Sequence, residues 1–218
     1  MGDRRQRWPL VADDLFRILH DDVGAPVLRL DAVGMGLGAA LLAELVLTQR
    51  VAVHAGRLSV VTTTSPVDAL ANTVLAEVRD EPTERPVRDW IHYLAGESVE
   101  RVARRMAQAG HLEARTRRRL RTLGLSTTTR YRPTQMNDAA WPWARLSIAV
   151  ERAEAFSPFD TALGGLIVAL ELHRRVLASP GIDVEREFRI RVLQDASPEL
   201  QELLAITDAA IGDRVMAG

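Results

Sequence analysis

From Gly34 to Leu47 the chain reads GMGLGAALLAELVL, with one acid and no base. As a helix this run is apolar almost all the way round. Glu44 and Thr48 are its only polar interruptions before Gln49 and Arg50. A helix with so narrow a polar face has to be surrounded by other helices. The fold expected is therefore mainly α: a helical bundle around a buried central helix at 36–50, with two β-hairpins. Asp31 is the expected N-cap. Gly34, Gly36 and Gly38 thin the first turns, so another backbone or a ligand can approach closely. The first hairpin is read from Val51 to Val61, where apolar residues alternate around an Ala55-Gly56 turn.

The rest of the chain supplies the surrounding elements. Residues 1–9 read as a flexible N-terminal arm and 10–218 as a single helical domain. Val11 to His20 reads as a short helix and Val27 to Leu30 as a short strand. A helix is expected from Pro66 to about Val78, started by Ser65-Pro66. Two more run from Pro86 to Leu94, stopping at Gly96, and from Ser98 to Gly110. The second hairpin is expected at 115–131, with its tip near Gly124 or Ser126 and a strand-favouring Thr127-Thr128-Thr129 run. Helices follow at Asp138 to Ala155, Pro158 to Leu177, Val184 to Leu193 and Pro198 to Val215.

Several classes of chemistry have little to stand on. There is no cysteine, hence no disulfide, thiolate nucleophile or cysteine metal site. The histidines are scattered without the i, i+4 spacing of a helical zinc site. No G-x-S-x-G elbow is present. Gly34-Met-Gly36-Leu-Gly38-Ala39 imitates a dinucleotide fingerprint, but the strand after it does not end in an acid and no repeating βαβ units follow. Helix packing is the favoured reading there, and a nucleotide or small-molecule binder a remote one. His20-Asp21-Asp22 has metal-ligating residue types, yet reads better as a polar helix end. No enzyme, cofactor or metal is expected. The arm MGDRRQRWPL lacks an apolar segment after its basic residues, and Ala162 to Leu170, taken as the longest apolar run, is too short to span a bilayer. A soluble, cytoplasmic protein is expected, with a peripheral position on the cytoplasmic membrane face.

Arginine is the strongest functional signal. The net charge is −1 and there is no lysine, yet Arg101 to Arg132 holds ten arginines against the single acid Glu113. Arg101, Arg104 and Arg105 lie three to four residues apart, so a helix would put them on one side. Arg115, Arg117, Arg119 and Arg121 alternate, so a strand would put them on one face. Such a basic face suits anionic headgroups, to which guanidinium can bind in bidentate fashion. Nucleic acid is not expected, because the aromatic partners of a single-strand binder are missing.

Several stretches taken together resemble the Golgi phosphoprotein 3 family. They are GLGAALLAELVLTQRVAV at 36–53, LFRILHDDV at 15–23, Asp89-Trp90-Ile91 followed by Leu94, VARRMAQAGHL at 102–112, Thr129-Arg130-Tyr131-Arg132-Pro133, and the apolar helix of Asp160 to Leu177. They occur in collinear order over about residues 9 to 200. The resemblance implies a non-enzymatic peripheral-membrane or adaptor protein whose eukaryotic relatives bind phosphatidylinositol 4-phosphate. The family's lipid pocket uses a tryptophan and three arginines. Their positions fall on Arg29, Gly38, near Gly96 and on Val99, so none is matched, although Arg29 brings its own charge to that corner. The lipid-binding residues expected here are Arg29, Arg101, Arg104, Arg105, Arg117, Arg119 and Arg121, with anionic membrane lipids as partners. The family's hairpin also supports self-association. Here that implies a homo-oligomer through 115–131, with Leu120, Leu123 and Leu125 as contact residues. The alternative function is a cytosolic interaction module that self-associates through this hairpin without specific lipid binding.

Overall fold

The computed structural model describes residues 10–65, 68–121, 124–173 and 182–216; within these, the side chains of 116–128, 136–139, 182–183 and 214–216 are outside the description. The expected arm at 1–9 lies outside the described residues. Among those described, nine helices and two antiparallel hairpins form a mainly α architecture. The helices are α1 (Val11–Leu19), α2 (Leu30–Leu47), α3 (Ala69–Asp80), α4 (Val87–Ala95), α5 (Ser98–Gln108), α6 (Met136–Glu151), α7 (Pro158–Ala169), α8 (Ile182–Asp195) and α9 (Pro198–Met216).

Helix α2 is the axis of the bundle. Every residue from Val33 to Val46 is buried, and α1, α3, α4, α5, α7 and α9 all pack on it. Its mean hydropathy of 1.8 over eighteen residues would suffice for a bilayer, a length of apolar helix that the sequence reading overlooked. Burial against six other helices assigns it to the core instead. The glycines serve that packing. A Cβ on Gly34 would stand 2.5 Å from the Ala95 carbonyl oxygen, and one on Gly38 3.1 Å from Leu94 Cβ, so α4 crosses α2 at van der Waals distance. Gly36 faces Leu170 in the same way. All three glycines lie inside the helix, so their amides are already used in it and cradle no phosphate.

Local details correct some boundaries. The helix starts two residues before the expected site: Arg29 is the N-cap residue, and Asp31 sits in the first turn, accepting from Ala32 N–H at 3.0 Å. That position suits a carboxylate, because the helix dipole is positive there. Val27 to Arg29 is a bend rather than a strand. α3 begins at Ala69 because Asp68 caps it, accepting from Ala71 N–H at 2.8 Å; Ser65-Pro66 precedes it, and 66–67 are outside the described residues. α7 stops at Ala169, short of the expected Leu177, and 174–177 lie outside the described residues. The chain turns there through Glu171 at φ +56°, with Leu172 N–H donating to Ile167 C=O at 2.9 Å. This is a Schellman ending made without glycine.

The first hairpin pairs β1 (Val51–His54) with β2 (Arg57–Val60) around Ala55 and Gly56, both at positive φ, as a two-residue type I′ turn needs. The second pairs β3 (Leu112–Arg121) with β4 (Gly124–Pro133). It is longer than expected, and its turn at 122–123 lies outside the described residues.

Candidate functional site

The three arginines of α5 do not form one surface. Arg104 is exposed, with Glu100 at 3.4 Å. Arg101 lies between Glu97 and Glu77, each at 2.7 Å. Arg105 points inward, with its side chain only 10% exposed. The periodicity of α5 explains the split. Arg105 is seven residues after Ser98 and three after Val102, both buried, so it continues the inward stripe.

Inside, Arg105 meets three carboxylates from three other elements: Asp13 of α1 at 2.7 Å, Glu44 of α2 at 3.1 Å and Asp68 at the α3 cap at 3.0 Å. Glu44 also accepts from Ala12 N–H at 2.9 Å. Burial opposes the Arg105 charge, but Glu44 and Asp13 outweigh it and hold the guanidinium protonated well above its ordinary range. Burial pushes the Asp13 and Glu44 carboxyls up, against the opposing pull of Arg105. One cation faces three acids, two of them buried, so the guanidinium keeps its charge while burial and Arg105 pull the two buried carboxyls in opposite directions. A neighbouring set is balanced. Asp14 pairs with Arg17 at 2.9 Å and Arg145 at 2.9 Å, and Arg145 with Asp160 at 2.6 Å. These links tie α1, α2, α5, α6, α7 and the α3 cap together.

Arg105 is thus withdrawn from any headgroup, and Arg101 largely so. This corrects the expectation of one basic helix face. The sequence carried a clue: Glu44, a lone acid in an apolar helix, requires a buried cation.

The second hairpin carries exposed positive charge at its base. Its register places Arg117, Arg119 and Arg121 at alternate positions, opposite Thr128, Ser126 and Gly124. Their side chains lie outside the described residues, as do those of Leu120 and Leu125; Leu123 is outside altogether. Toward the hairpin base, Arg115 is opposite Arg130 and Glu113 is opposite Arg132, so these four share the face of that alternating set. Arg115 is exposed and 3.0 Å from Glu113. Arg130 and Arg132 are exposed with no carboxylate partner among the described residues. Neither was in the expected set, although the Arg-Tyr-Arg alternation at 130–132 signals them. Like charges directly across a sheet repel, so this face carries a charge that a bound anion would relieve.

The hairpin is held against the bundle from its other face. Tyr131 donates its hydroxyl proton to Glu100 Oε1 at 2.8 Å. Burial, then Glu100, push the phenol up to about 12, so it donates as a neutral hydroxyl. A Cβ on Gly24, at φ +73°, would strike the Tyr131 carbonyl, so the 21–25 loop packs against β4 there. Arg29 stands elsewhere, at the start of α2, 74% exposed and 3.4 Å from Asp31. At that corner Ser98 Oγ donates to Gly34 C=O at 2.8 Å, and the α2–α4 contact fills the space beside Gly38.

Among the described residues no group of three or more histidines and carboxylates is disposed to hold a metal. The converging acids of the core surround an arginine. A comparison with curated proteins returned no match. A family model described as Golgi phosphoprotein 3 (GPP34) matches residues 11–210, from the first residue of α1 into α9 and so across the whole bundle. The chain belongs to the Golgi phosphoprotein 3 family.

Proposed function

We propose that this protein is a non-enzymatic peripheral-membrane adaptor that docks on anionic lipid headgroups through arginines of its second hairpin. The observation that carries the reading is the Arg115–Arg130 cross-strand pair, with Arg132 beside it and Glu113 as the face's only acid. Arg117, Arg119 and Arg121 continue the same alternate positions toward the tip. Exposed Arg104 and Arg29 add charge at the bundle surface, while Arg101 and Arg105 hold the fold. Each arginine near an anionic surface contributes about 1 kcal/mol, and the attraction decays over a Debye length of roughly 8 Å. Three or four acting together give weak, reversible, salt-sensitive binding. Since the family's pocket positions are unmatched, selectivity for one phosphoinositide is not part of the proposal. The protein is cytoplasmic and exchanges with the cytoplasmic membrane face.

Co-sedimentation with vesicles tests this. The protein should pellet with vesicles containing phosphatidylserine or a phosphoinositide far more than with neutral vesicles, and salt should release that excess. Failure to bind anionic vesicles at low salt would remove the lipid reading. The alternative, self-association through the hairpin, is favoured by one observation. Leu120 and Leu125 are paired in register next to the turn, on a two-stranded ribbon whose edges invite a further strand. Sedimentation equilibrium on the free protein distinguishes it.

A further inference from the structure

The His20-Asp21-Asp22 end of α1 remains unused by the arginine surface. It borders a cavity of about 370 Å³, between the α1 C-terminus, the base of the second hairpin and α6. That volume falls in the range of small-ligand sites. Four of its lining side chains carry aromatic rings, Phe16, His20, Tyr131 and Trp143, set among aliphatic neighbours such as Ile18, Val27 and Leu112. His20 stacks on Phe16 with ring centroids 3.9 Å apart.

Among the described residues, the unpaired charges lining this cavity have one sign. Burial holds His20 below its ordinary value, so the ring is neutral at physiological pH. His20 Nδ1 lies 2.9 Å from the Phe16 carbonyl, which only accepts; the proton therefore sits on Nδ1, and Nε2 carries a lone pair. Tyr131 is neutral as well. Arg17 lines the cavity but is neutralised by Asp14 at 2.9 Å. That leaves Asp21 and Asp22. Asp21 accepts through Oδ1 from the amides of Val23 at 3.0 Å and Ala25 at 2.7 Å, leaving Oδ2 unpartnered among the described residues. Asp22 is exposed and likewise has no partner among them. The negative end of the α1 dipole points the same way.

Aromatic faces beside uncompensated carboxylates attract organic cations by cation–π and coulombic forces together. Two carboxylates without a third ligand do not suit a metal. We propose that this cavity binds an organic ammonium group, such as a trimethylammonium, with the aromatic rings around its methyl groups and Asp21 and Asp22 facing its charge. A soluble amine and the headgroup of a zwitterionic lipid present the same chemistry.

Calorimetric titration with choline chloride, set against its uncharged isostere 3,3-dimethyl-1-butanol, tests the proposal. Saturable choline binding is expected, with the isostere about tenfold weaker or more. The double variant Asp21→Asn/Asp22→Asn should weaken choline by about tenfold. It should melt like the wild type, since the side-chain amide oxygen introduced in place of the Asp21 carboxylate can still accept the two loop amides. A parallel arm uses vesicles of phosphatidylcholine alone. Retention that choline displaces identifies a lipid headgroup, and choline binding without retention identifies a soluble ligand; either supports the site. Equal affinity for choline and the isostere, no choline heat up to about 50 mM, or a double variant that binds choline like the wild type would overturn it.

Discussion

Replacing Arg105 with methionine removes the cation from a buried cluster while keeping a side chain of similar length. The guanidinium it deletes holds Asp13 at 2.7 Å, Asp68 at 3.0 Å and Glu44 at 3.1 Å. Removing one partner of a buried ion pair costs about 3–5 kcal/mol, because the remaining charge stays desolvated. Here three acids are left, two of them buried, so the upper part of that range is expected near pH 8. The pH dependence follows from the directions of the shifts. Asp13 and Glu44 are raised above their ordinary 3.8 and 4.5 by burial, with Arg105 pulling them back. A raised carboxyl keeps its proton in the folded state where the unfolded chain has lost it. Its contribution is therefore most favourable below the ordinary value and declines as pH rises through the folded one. In Arg105→Met the pull is gone and both groups rise further. The loss relative to wild type should then be small near pH 5 and largest near pH 8. Urea denaturation at both pH values, followed by circular dichroism, reads it out. Adding Glu44→Gln should recover about 1–2 kcal/mol at the higher pH. A variant within about 1 kcal/mol of wild type near pH 8, or a loss that shrinks as pH rises, would refute the reasoning.

Two further substitutions test the bundle axis. Leu41, buried on α2, is expected to cost about 2–5 kcal/mol as Leu41→Ala, measured as a shift in the urea midpoint at constant slope. Gly34→Ala gains about 1 kcal/mol of helix propensity, yet its Cβ would meet the Ala95 carbonyl oxygen at 2.5 Å. A net loss of about 1–2 kcal/mol is expected, and a gain in stability would show that α2 and α4 are not in contact at that point.

The central helix and both hairpins were legible because their signals are local. An apolar run without a polar face can only be interior, and Ala55-Gly56 supplies the two positive φ values of a tight turn. Helix ends were less legible. α2, α6 and α7 each close through a residue other than glycine at positive φ, namely Gln49, Ala153 and Glu171. Sequence gives no warning of such an ending, whereas α5 closes at Gly110 where it was expected. The basic helix face failed for a different reason. Spacing tells which arginines are neighbours on a helix, not which side faces solvent. That side is fixed by Ser98, Val102 and Met106, which turn Arg105 toward acids 37 to 92 residues away in the chain. The alternation of β3 was readable. The facing Arg130 and Arg132 needed the register, which pairs residues across a turn.

The central claim is that the position of the arginines matters, beyond the number of them. It is tested most directly by comparing two triple variants of equal charge for binding to phosphatidylserine vesicles at low salt. One changes Arg115, Arg130 and Arg132 of the hairpin face to Gln. The other changes Arg152, Arg186 and Arg189, which lie on other elements, to Gln. The hairpin variant should lose most of the wild-type binding, by about 3 kcal/mol or roughly a hundredfold, while the control keeps it. Equal loss in both, or full binding by the hairpin variant, would contradict the account.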